Sequence, residues 1–258
     1  MAENEYAWII DNMTWSYSRL KAFESCRYGW LLRYIYEDVE QPMFYSSYGK
    51  FIHELIEAYN KGEVDKDSLV TEFLTNFSSR VKGERPSESI VSKYISKGAD
   101  YFKAFNELPY NTVATEEFVE FVINGYNFVG FIDYLGEKDG DYYVVDHKSR
   151  DLKPRSKRSK PTKSDEELDE MLVQLYLYAE AVKQKYGKYP RKLIFNCFKE
   201  GRIIEEDFNE EACERAKLWA VNTIMAIKNA DDFYPAVDFF HCKYLCGYHN
   251  ECCYWNGG

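Results

Sequence analysis

The sequence lacks any run of apolar residues long enough to cross a membrane, for which about 18 in succession are needed. We expect no secretory signal peptide either, because the segment from Met1 to Glu5 is acidic and no apolar stretch follows it. Positive charge is scarce, since 43 Asp and Glu outnumber 33 Lys and Arg and give a net charge of −10. These features predict a soluble cytoplasmic protein without membrane contacts and without a generally basic surface for nucleic acid.

A disulfide framework is also not expected. Seven cysteines in a chain without a secretory signal indicate thiols that are reduced or bound to metal. The 258 residues, 45% of them hydrophobic, suffice for a sizeable core. We therefore predict one domain spanning residues 1–258.

Residues 116–148 show the pattern of three consecutive antiparallel strands. Asn124-Gly125 and Asp139-Gly140 are dipeptides that favour two-residue hairpin turns. The segment between them, residues 126–135, is apolar on both faces, which is typical of a strand covered by helices.

Counting back from these turns places acidic residues side by side. Asp133 falls opposite Glu116 on one neighbouring strand and opposite Asp146 on the other, and Lys148 shares a face with Asp146. Like charges directly opposed on adjacent strands repel, and acids in buried strands need a partner. The cluster therefore predicts a bound divalent cation, with a solvated polar face as the alternative.

Helical periodicity marks several further segments. The predicted elements are helices over 14–36, 48–57, 164–186 and 209–229, a helical insert over 66–107, and a buried strand over 191–199. Ser164 is expected to cap the third of these helices. On local evidence alone, Cys26 and His53 are core residues, while Gln174 and Tyr178 share one helix face.

Two segments have a distinctive composition. Residues 153–163 carry six cations, two prolines and no acid, which predicts a loop that is either mobile and solvated or in contact with a phosphate backbone. Residues 242–253 hold Cys242, Cys246, Cys252 and Cys253. Thiolates at such short spacing bind zinc or an iron–sulfur cluster, and a disulfide or loose thiols are the alternative.

Five short motifs follow one another in a familiar order. They are Gly-x-x-x-His at Gly49 to His53, Gly-x-x-Asp at Gly130 to Asp133, acid-x-Lys at Asp146 to Lys148, Gln-x-x-x-Tyr at Gln174 to Tyr178, and Cys26 with Cys242, Cys246 and Cys252. In this the chain resembles the PD-(D/E)XK nuclease superfamily. The resemblance is to its RecB-like branch, which includes the CRISPR-associated iron–sulfur exonuclease and AddB-type nuclease domains.

This resemblance implies a restriction-endonuclease-like α/β fold, with a central mixed β-sheet flanked by helices, a helical insert and a C-terminal cysteine cluster. It implies that His53, Asp133, Asp146 and the main-chain carbonyl of His147 hold one or two Mg²⁺ or Mn²⁺ ions. Asp133, Asp146 and Lys148 would be the catalytic residues. Lys148 would orient water or neutralise charge in the transition state.

The resemblance also assigns the remaining motifs. Gln174 and Tyr178 would position the DNA backbone. Cys26, Cys242, Cys246 and Cys252 would hold a 4Fe-4S cluster, with Cys253 as an alternative to Cys252 and zinc as the less favoured occupant.

The function implied is a metal-dependent DNA exonuclease acting on single strands or duplex ends in a prokaryotic cell or phage-infected host. Recombination, repair, phage replication or CRISPR adaptation would be its setting, with a helicase, recombinase or adaptation protein as partner. Three alternatives stay open: a non-catalytic DNA-binding or adaptor subunit, a zinc-stabilised interaction domain, and a sequence-specific restriction endonuclease.

Overall fold

A five-stranded mixed sheet forms the centre of the computed structural model, which describes residues 5–255. The strands are β1 (Asn111–Ile123), β2 (Tyr126–Lys138), β3 (Asp141–Lys148), β4 (Lys192–Cys197) and β5 (Arg202–Asp207), in the spatial order β1-β2-β3-β4-β5. Neighbouring strands are antiparallel except β3 and β4, which are parallel. The predicted α/β class with a mixed sheet is confirmed.

Helices cover the sheet. They are α1 (Ala7–Asp11), α2 (Tyr17–Ser25), α3 (Arg27–Tyr34), α4 (Phe44–Asn60), α5 (Leu69–Arg80), α6 (Glu88–Lys103), α7 (Lys163–Tyr186), α8 (Glu210–Lys228) and α9 (Phe239–Tyr244). Helix α7 provides the crossover that parallel strands require, because it connects β3 to β4. Within residues 5–255, no helix is both long and apolar enough to span a membrane.

The two predicted hairpin turns are confirmed. Asn124-Gly125 connects the paired residues Ile123 and Tyr126, and Asp139-Gly140 connects Lys138 and Asp141 in the same way. All four turn residues have positive φ, between 47° and 82°, as a two-residue turn with the twist of a hairpin requires.

Two large hydrophobic cores and a small third cluster lie on the sheet and its helices in the described part of the chain. The main core joins the strands to α2, α7 and α8, and includes Leu20, Ile132, Val144, Leu175 and Ile224. The second core joins α4 to α5 and α6, which lie within residues 66–107, and includes Phe198 directly after β4. The candidate site described below lies between helices of these two groups.

Some predicted boundaries are wrong for identifiable reasons. The predicted helix over 14–36 is broken at Cys26, which has an extended backbone (φ −161°, ψ 109°) and accepts a hydrogen bond from Gly29 N through Sγ. Helix α7 is capped by Thr162 instead of Ser164, because Thr162 and Asp165 form a reciprocal capping box. Helices α1 and α9 and strand β5 were not predicted from the sequence.

Candidate active site

Three side chains from three elements converge on one point. His53 lies on α4, Glu116 on β1 and Asp133 on β2. His53 Nδ1 is 3.5 Å from Asp133 Oδ2 and 3.8 Å from Glu116 Oε1, and one ligand atom from each residue lies within 4.8 Å of the others. One imidazole and two carboxylates at this spacing fit a single divalent cation.

The strand register explains why Glu116 and Asp133 are neighbours. Thr115 pairs with Tyr134 and Glu117 pairs with Ile132, so Glu116 and Asp133 lie between two regular pairs, as counting predicts. Glu116 itself has a φ of +47°, a left-handed conformation that is rare for residues other than glycine. Such strain, roughly 1–3 kcal/mol, is typical of functional sites, and here it accompanies a side chain next to His53.

Asp146 and Lys148 lie beside this group on β3. Lys148 Nζ is 2.8 Å from Asp146 Oδ2, while its better-aligned hydrogen bond goes to Oδ1 at 3.1 Å. Lys148 also donates to Gln174 Oε1 at 2.9 Å, and Gln174 donates to the Tyr178 hydroxyl at 3.2 Å. The structure thus joins four of the predicted residues in one chain of polar contacts, although Asp146 faces Lys148 and lies outside the group of three metal-ligating side chains.

Gly130 leaves room for the Tyr178 ring. A Cβ at position 130 would lie only 2.6 Å from Tyr178 Cε1, which is closer than real side chains approach. Glycine in the Gly-x-x-Asp motif therefore lets α7 pack its tyrosine directly on β2.

The peptide groups of His147 contact two of the three converging residues. Its N–H donates to Asp133 Oδ2 at 2.7 Å, and its carbonyl oxygen accepts from His53 Nε2 at 2.7 Å. This hydrogen bond places the proton of His53 on Nε2 and leaves the Nδ1 lone pair towards the carboxylates. The predicted role of the His147 carbonyl as a metal ligand stays a prediction.

The His147 side chain is anchored by residues that sequence reasoning missed. Asn196 Nδ2 donates to His147 Nδ1 at 3.0 Å and to the Tyr101 hydroxyl at 2.9 Å. His147 Nε2 then carries the proton and is buried without a hydrogen-bond partner among the described residues. The sequence feature that could have indicated this contact is Asn196, a single amide side chain within the apolar run of β4.

Burial and neighbouring charge shift the pKa values of the site in opposite directions. Burial, aided by the Asp146 carboxylate, raises the pKa of Asp133 to about 7. Burial lowers the pKa of His53, but Glu116, Asp133 and Asp146 more than offset this effect and raise it above its usual value. Burial, with the charges of His53 and Lys148, lowers the pKa of His147 to about 3, so that its ring stays neutral. Such perturbation is typical of functional sites.

The predicted cysteine set lies around one cavity. Cys26 at the start of α3 lines it together with Cys242, Cys246 and Cys252, and burial raises the pKa of Cys246 to about 11. Cys253 is exposed and its Sγ contacts the Tyr28 hydroxyl at 3.6 Å. The structure therefore brings Cys252, and not Cys253, to the other three thiols.

A mixed sheet flanked by helices, with an acid-x-Lys strand beside an imidazole and further acids, defines a nuclease of the restriction-endonuclease-like class. The sequence profile of the PD-(D/E)XK nuclease superfamily matches residues 14–253. The chain belongs to this superfamily.

A solved structure has a similar fold. A crystal structure from Eubacterium rectale, described as "Putative exonuclease", is 15% identical, covers 97% of this chain and 92% of its own, and superposes with a TM-score of 0.56. The structure of SSO0001 is 17% identical over 80% of this chain and 95% of its own, with a TM-score of 0.29. No curated protein matches the sequence.

Proposed function

We propose that this protein is a metal-dependent DNA exonuclease that hydrolyses phosphodiester bonds on single strands or at duplex ends. The observation that carries the proposal is the position of Lys148. Its ammonium group is held between Asp146 and Gln174, beside the convergent His53, Glu116 and Asp133. A lysine on a solvated surface would not need to be fixed by two such contacts.

The donor set suits Mg²⁺ or Mn²⁺, because hard oxygen ligands with a single imidazole favour these ions. His53, Glu116 and Asp133 would hold the cation, with Asp146 on the neighbouring strand β3. When bound, the ion supplies Lewis-acid chemistry at the scissile phosphate and lowers the pKa of water. The ligands implied by the resemblance, which are His53, Asp133, Asp146 and the His147 carbonyl, are thereby joined by Glu116, which strand counting had already placed in the acidic cluster.

The remaining residues have roles that their contacts support. Lys148 places a positive charge where negative charge develops on the phosphate, or orients the attacking water. Gln174 fixes the lysine from α7, Tyr178 accepts a hydrogen bond from Gln174, and both would position the DNA backbone. Asp146 holds the ammonium group of Lys148 directed towards the site.

The cysteine cavity supports a structural 4Fe-4S cluster. Zinc bonds to sulfur at about 2.3 Å, so four thiolates on one zinc ion lie within roughly 4 Å of each other. No group of three or more Cys, His, Asp or Glu ligand atoms that includes a cysteine lies within 4.8 Å in residues 5–255. A cubane cluster binds its cysteines on separate iron atoms and accepts the wider spacing. Absorption near 400 nm in anaerobically purified protein tests this assignment, and colourless protein with one zinc ion per chain would contradict it.

The setting proposed for the activity is recombination, repair, phage replication or CRISPR adaptation, beside a helicase, recombinase or adaptation protein. The family relationship and the resemblance to the RecB-like branch support this setting.

Digestion of end-labelled DNA tests the function. A linear single strand should be degraded with Mn²⁺ and stay intact with EDTA, while a covalently closed single-stranded circle should resist. Asp146→Asn and Lys148→Ala should each lower the rate at least about 100-fold, and exposed Lys138→Ala, which removes the same charge elsewhere, should not. Undiminished cleavage by both site variants would remove the proposed site. Tight DNA binding by the wild type without any cleavage would favour the non-catalytic adaptor instead.

A further inference from the structure

We propose that residues 156–162 form an arm that binds the phosphate backbone of the substrate outside the catalytic centre; this inference rests on the proposed function. We call this segment the basic arm. It begins eight residues after Lys148 and ends at the N-terminus of α7. Its shape, its charge and its distance from the site each support the assignment.

The basic arm is closed at its base by one carboxylate. Asp165 accepts hydrogen bonds from Ser156 N at 2.6 Å and Ser156 Oγ at 2.7 Å. It also accepts from Thr162 N at 2.7 Å and Thr162 Oγ1 at 2.8 Å. Both ends of the segment therefore meet on a single side chain, which fixes where its tip emerges. The loop predicted over residues 153–163 is thus anchored at Ser156 and Thr162, and whether its tip is mobile stays a prediction.

The tip carries only positive charge. Lys157, Arg158 and Lys160 are exposed, and no acidic residue occurs from 152 to 164. None of the three forms an ion pair with a carboxylate among residues 5–255 of the structure. Arg155, just outside the base, differs because Asp169 and Glu206 hold it at 2.7 and 2.8 Å.

Charge complementarity indicates that the ligand of the basic arm is the phosphate backbone of a nucleic acid. The chain as a whole has a net charge of −10 and repels a polyanion, so substrate binding requires a local concentration of unpaired cations. Three such cations on an anchored loop suit consecutive phosphates, because Arg and Lys are among the groups that contact the backbone in protein–DNA complexes.

The distance along α7 gives the number of nucleotides involved. Asp165 and Gln174 are nine residues apart on the helix, which at 1.5 Å per residue is about 14 Å. Phosphates on a strand that is stacked in B-form geometry advance about 3.4 Å along the axis, so this span corresponds to roughly four nucleotides of such a strand. A substrate must therefore extend about four nucleotides beyond the phosphate at Lys148 before the arm contributes.

Fluorescence anisotropy with labelled single strands of 3 to 12 nucleotides tests the arm, with Ca²⁺ in place of Mn²⁺ to prevent cleavage. The test variant combines Lys157→Ala, Arg158→Ala and Lys160→Ala. The control variant removes three exposed lysines elsewhere, by Lys66→Ala, Lys93→Ala and Lys138→Ala. Circular dichroism and thermal unfolding confirm that both variants fold.

We expect wild-type affinity to rise with length beyond about four nucleotides and the test variant to lose that rise. Loss of three phosphate contacts should also lower the slope of log K against log salt by about 2, because each contact on a single strand contributes about 0.7. The control variant should keep the wild-type slope.

Each other outcome overturns a specific claim. If the test variant keeps the length dependence and the salt slope, the arm does not bind phosphates, while wild-type cleavage leaves the proposed function standing. If the wild type neither binds nor cleaves DNA, the proposed function fails and the inference fails with it. If polyglutamate of equal charge competes as well as the oligonucleotide, the arm is a surface for an acidic protein partner.

Discussion

Lys148 on β3 and Gln174 on α7 are joined by a hydrogen bond of 2.9 Å that crosses from the sheet to the helix. Together with the Asp146 carboxylate, this bond occupies two directions around an ammonium group that has three N–H donors. The remaining donor is available to a substrate oxygen. The crossover helix thus contacts the proposed catalytic lysine in addition to connecting β3 to β4.

The first prediction concerns this bond. Gln174→Leu should lower kcat by about 10- to 100-fold, because a lysine misplaced by about 1 Å loses much of its effect on the transition state. Gln174→Glu keeps an acceptor for the ammonium group and should retain more activity than Gln174→Leu. Steady-state cleavage with Mn²⁺ measures both, with unfolding curves as the control. Equal kcat for Gln174→Leu and the wild type would contradict a positioning role.

The second prediction concerns Asp133 and metal binding. Its pKa is raised to about 7, so the protonated form is favoured in the folded protein without metal. The stability that this group contributes is therefore present below about pH 4, where the unfolded chain also binds the proton, and is lost as pH rises to about 7. A cation needs the carboxylate form, so stabilisation by Mn²⁺ should grow from pH 5 to pH 8.

Thermal unfolding with and without Mn²⁺ measures this effect. A free Mn²⁺ concentration 100 times Kd should stabilise the wild type by about 2.7 kcal/mol near pH 8. Asp133→Asn should abolish the Mn²⁺ response, while Glu120→Gln, an exposed change on β1, should keep it. A response independent of pH would show that Asp133 is not a ligand.

The parts of this site that were predictable depend on short-range rules. Turn chemistry at Asn124-Gly125 and Asp139-Gly140 fixes the register, and the register brings Glu116 and Asp133 together. Resemblance to a family supplied the positions of His53 and Gln174. These features could be obtained by counting along the chain or by matching motifs.

The parts that were missed depend on contacts between distant segments. Asn196 donates a hydrogen bond to Tyr101, which is 95 positions away in the sequence. No local sequence pattern predicts this contact. The helix break at Cys26 also involves residues that are distant in the sequence, because the Cys26 thiol lines a cavity with cysteines from the C-terminal segment. Local periodicity could only extend the helix through this position.

The third prediction concerns Asn196. Asn196→Leu removes the donor to His147 Nδ1 and leaves a buried acceptor unpaired, which should lower stability by about 1–3 kcal/mol. Because His147 contacts Asp133 and His53 through its peptide groups, Mn²⁺ affinity should also fall, by about 10-fold or more. Tyr101→Phe, which leaves Asn196 in place, should have a smaller effect on affinity. Isothermal titration with Mn²⁺ distinguishes this result from a purely structural role, in which affinity would not change.

The fourth prediction concerns the contact between Gly130 and Tyr178. Gly130→Ala should destabilise the protein by about 1–3 kcal/mol, because the new methyl group meets the tyrosine ring. In a Tyr178→Ala background the same change should cost at least about 1 kcal/mol less, since the ring is gone. Urea unfolding of the two single variants and the double variant completes the cycle. Additive effects would mean that the ring does not set the requirement for glycine.

The fifth prediction concerns the carboxylate at the base of the basic arm. Hydrogen bonds from the backbone of Ser156 and Thr162, and then from their hydroxyls, hold the pKa of Asp165 well below its usual range. A lowered pKa contributes stability that is present above about pH 4 and is lost as pH falls towards the pKa of the folded state. Asp165→Asn should therefore lower Tm clearly at pH 7, and the difference from the wild type should shrink towards pH 3. Exposed Asp67→Asn should show no such convergence, and a Tm difference constant with pH would mean that the charge of Asp165 does not hold the arm.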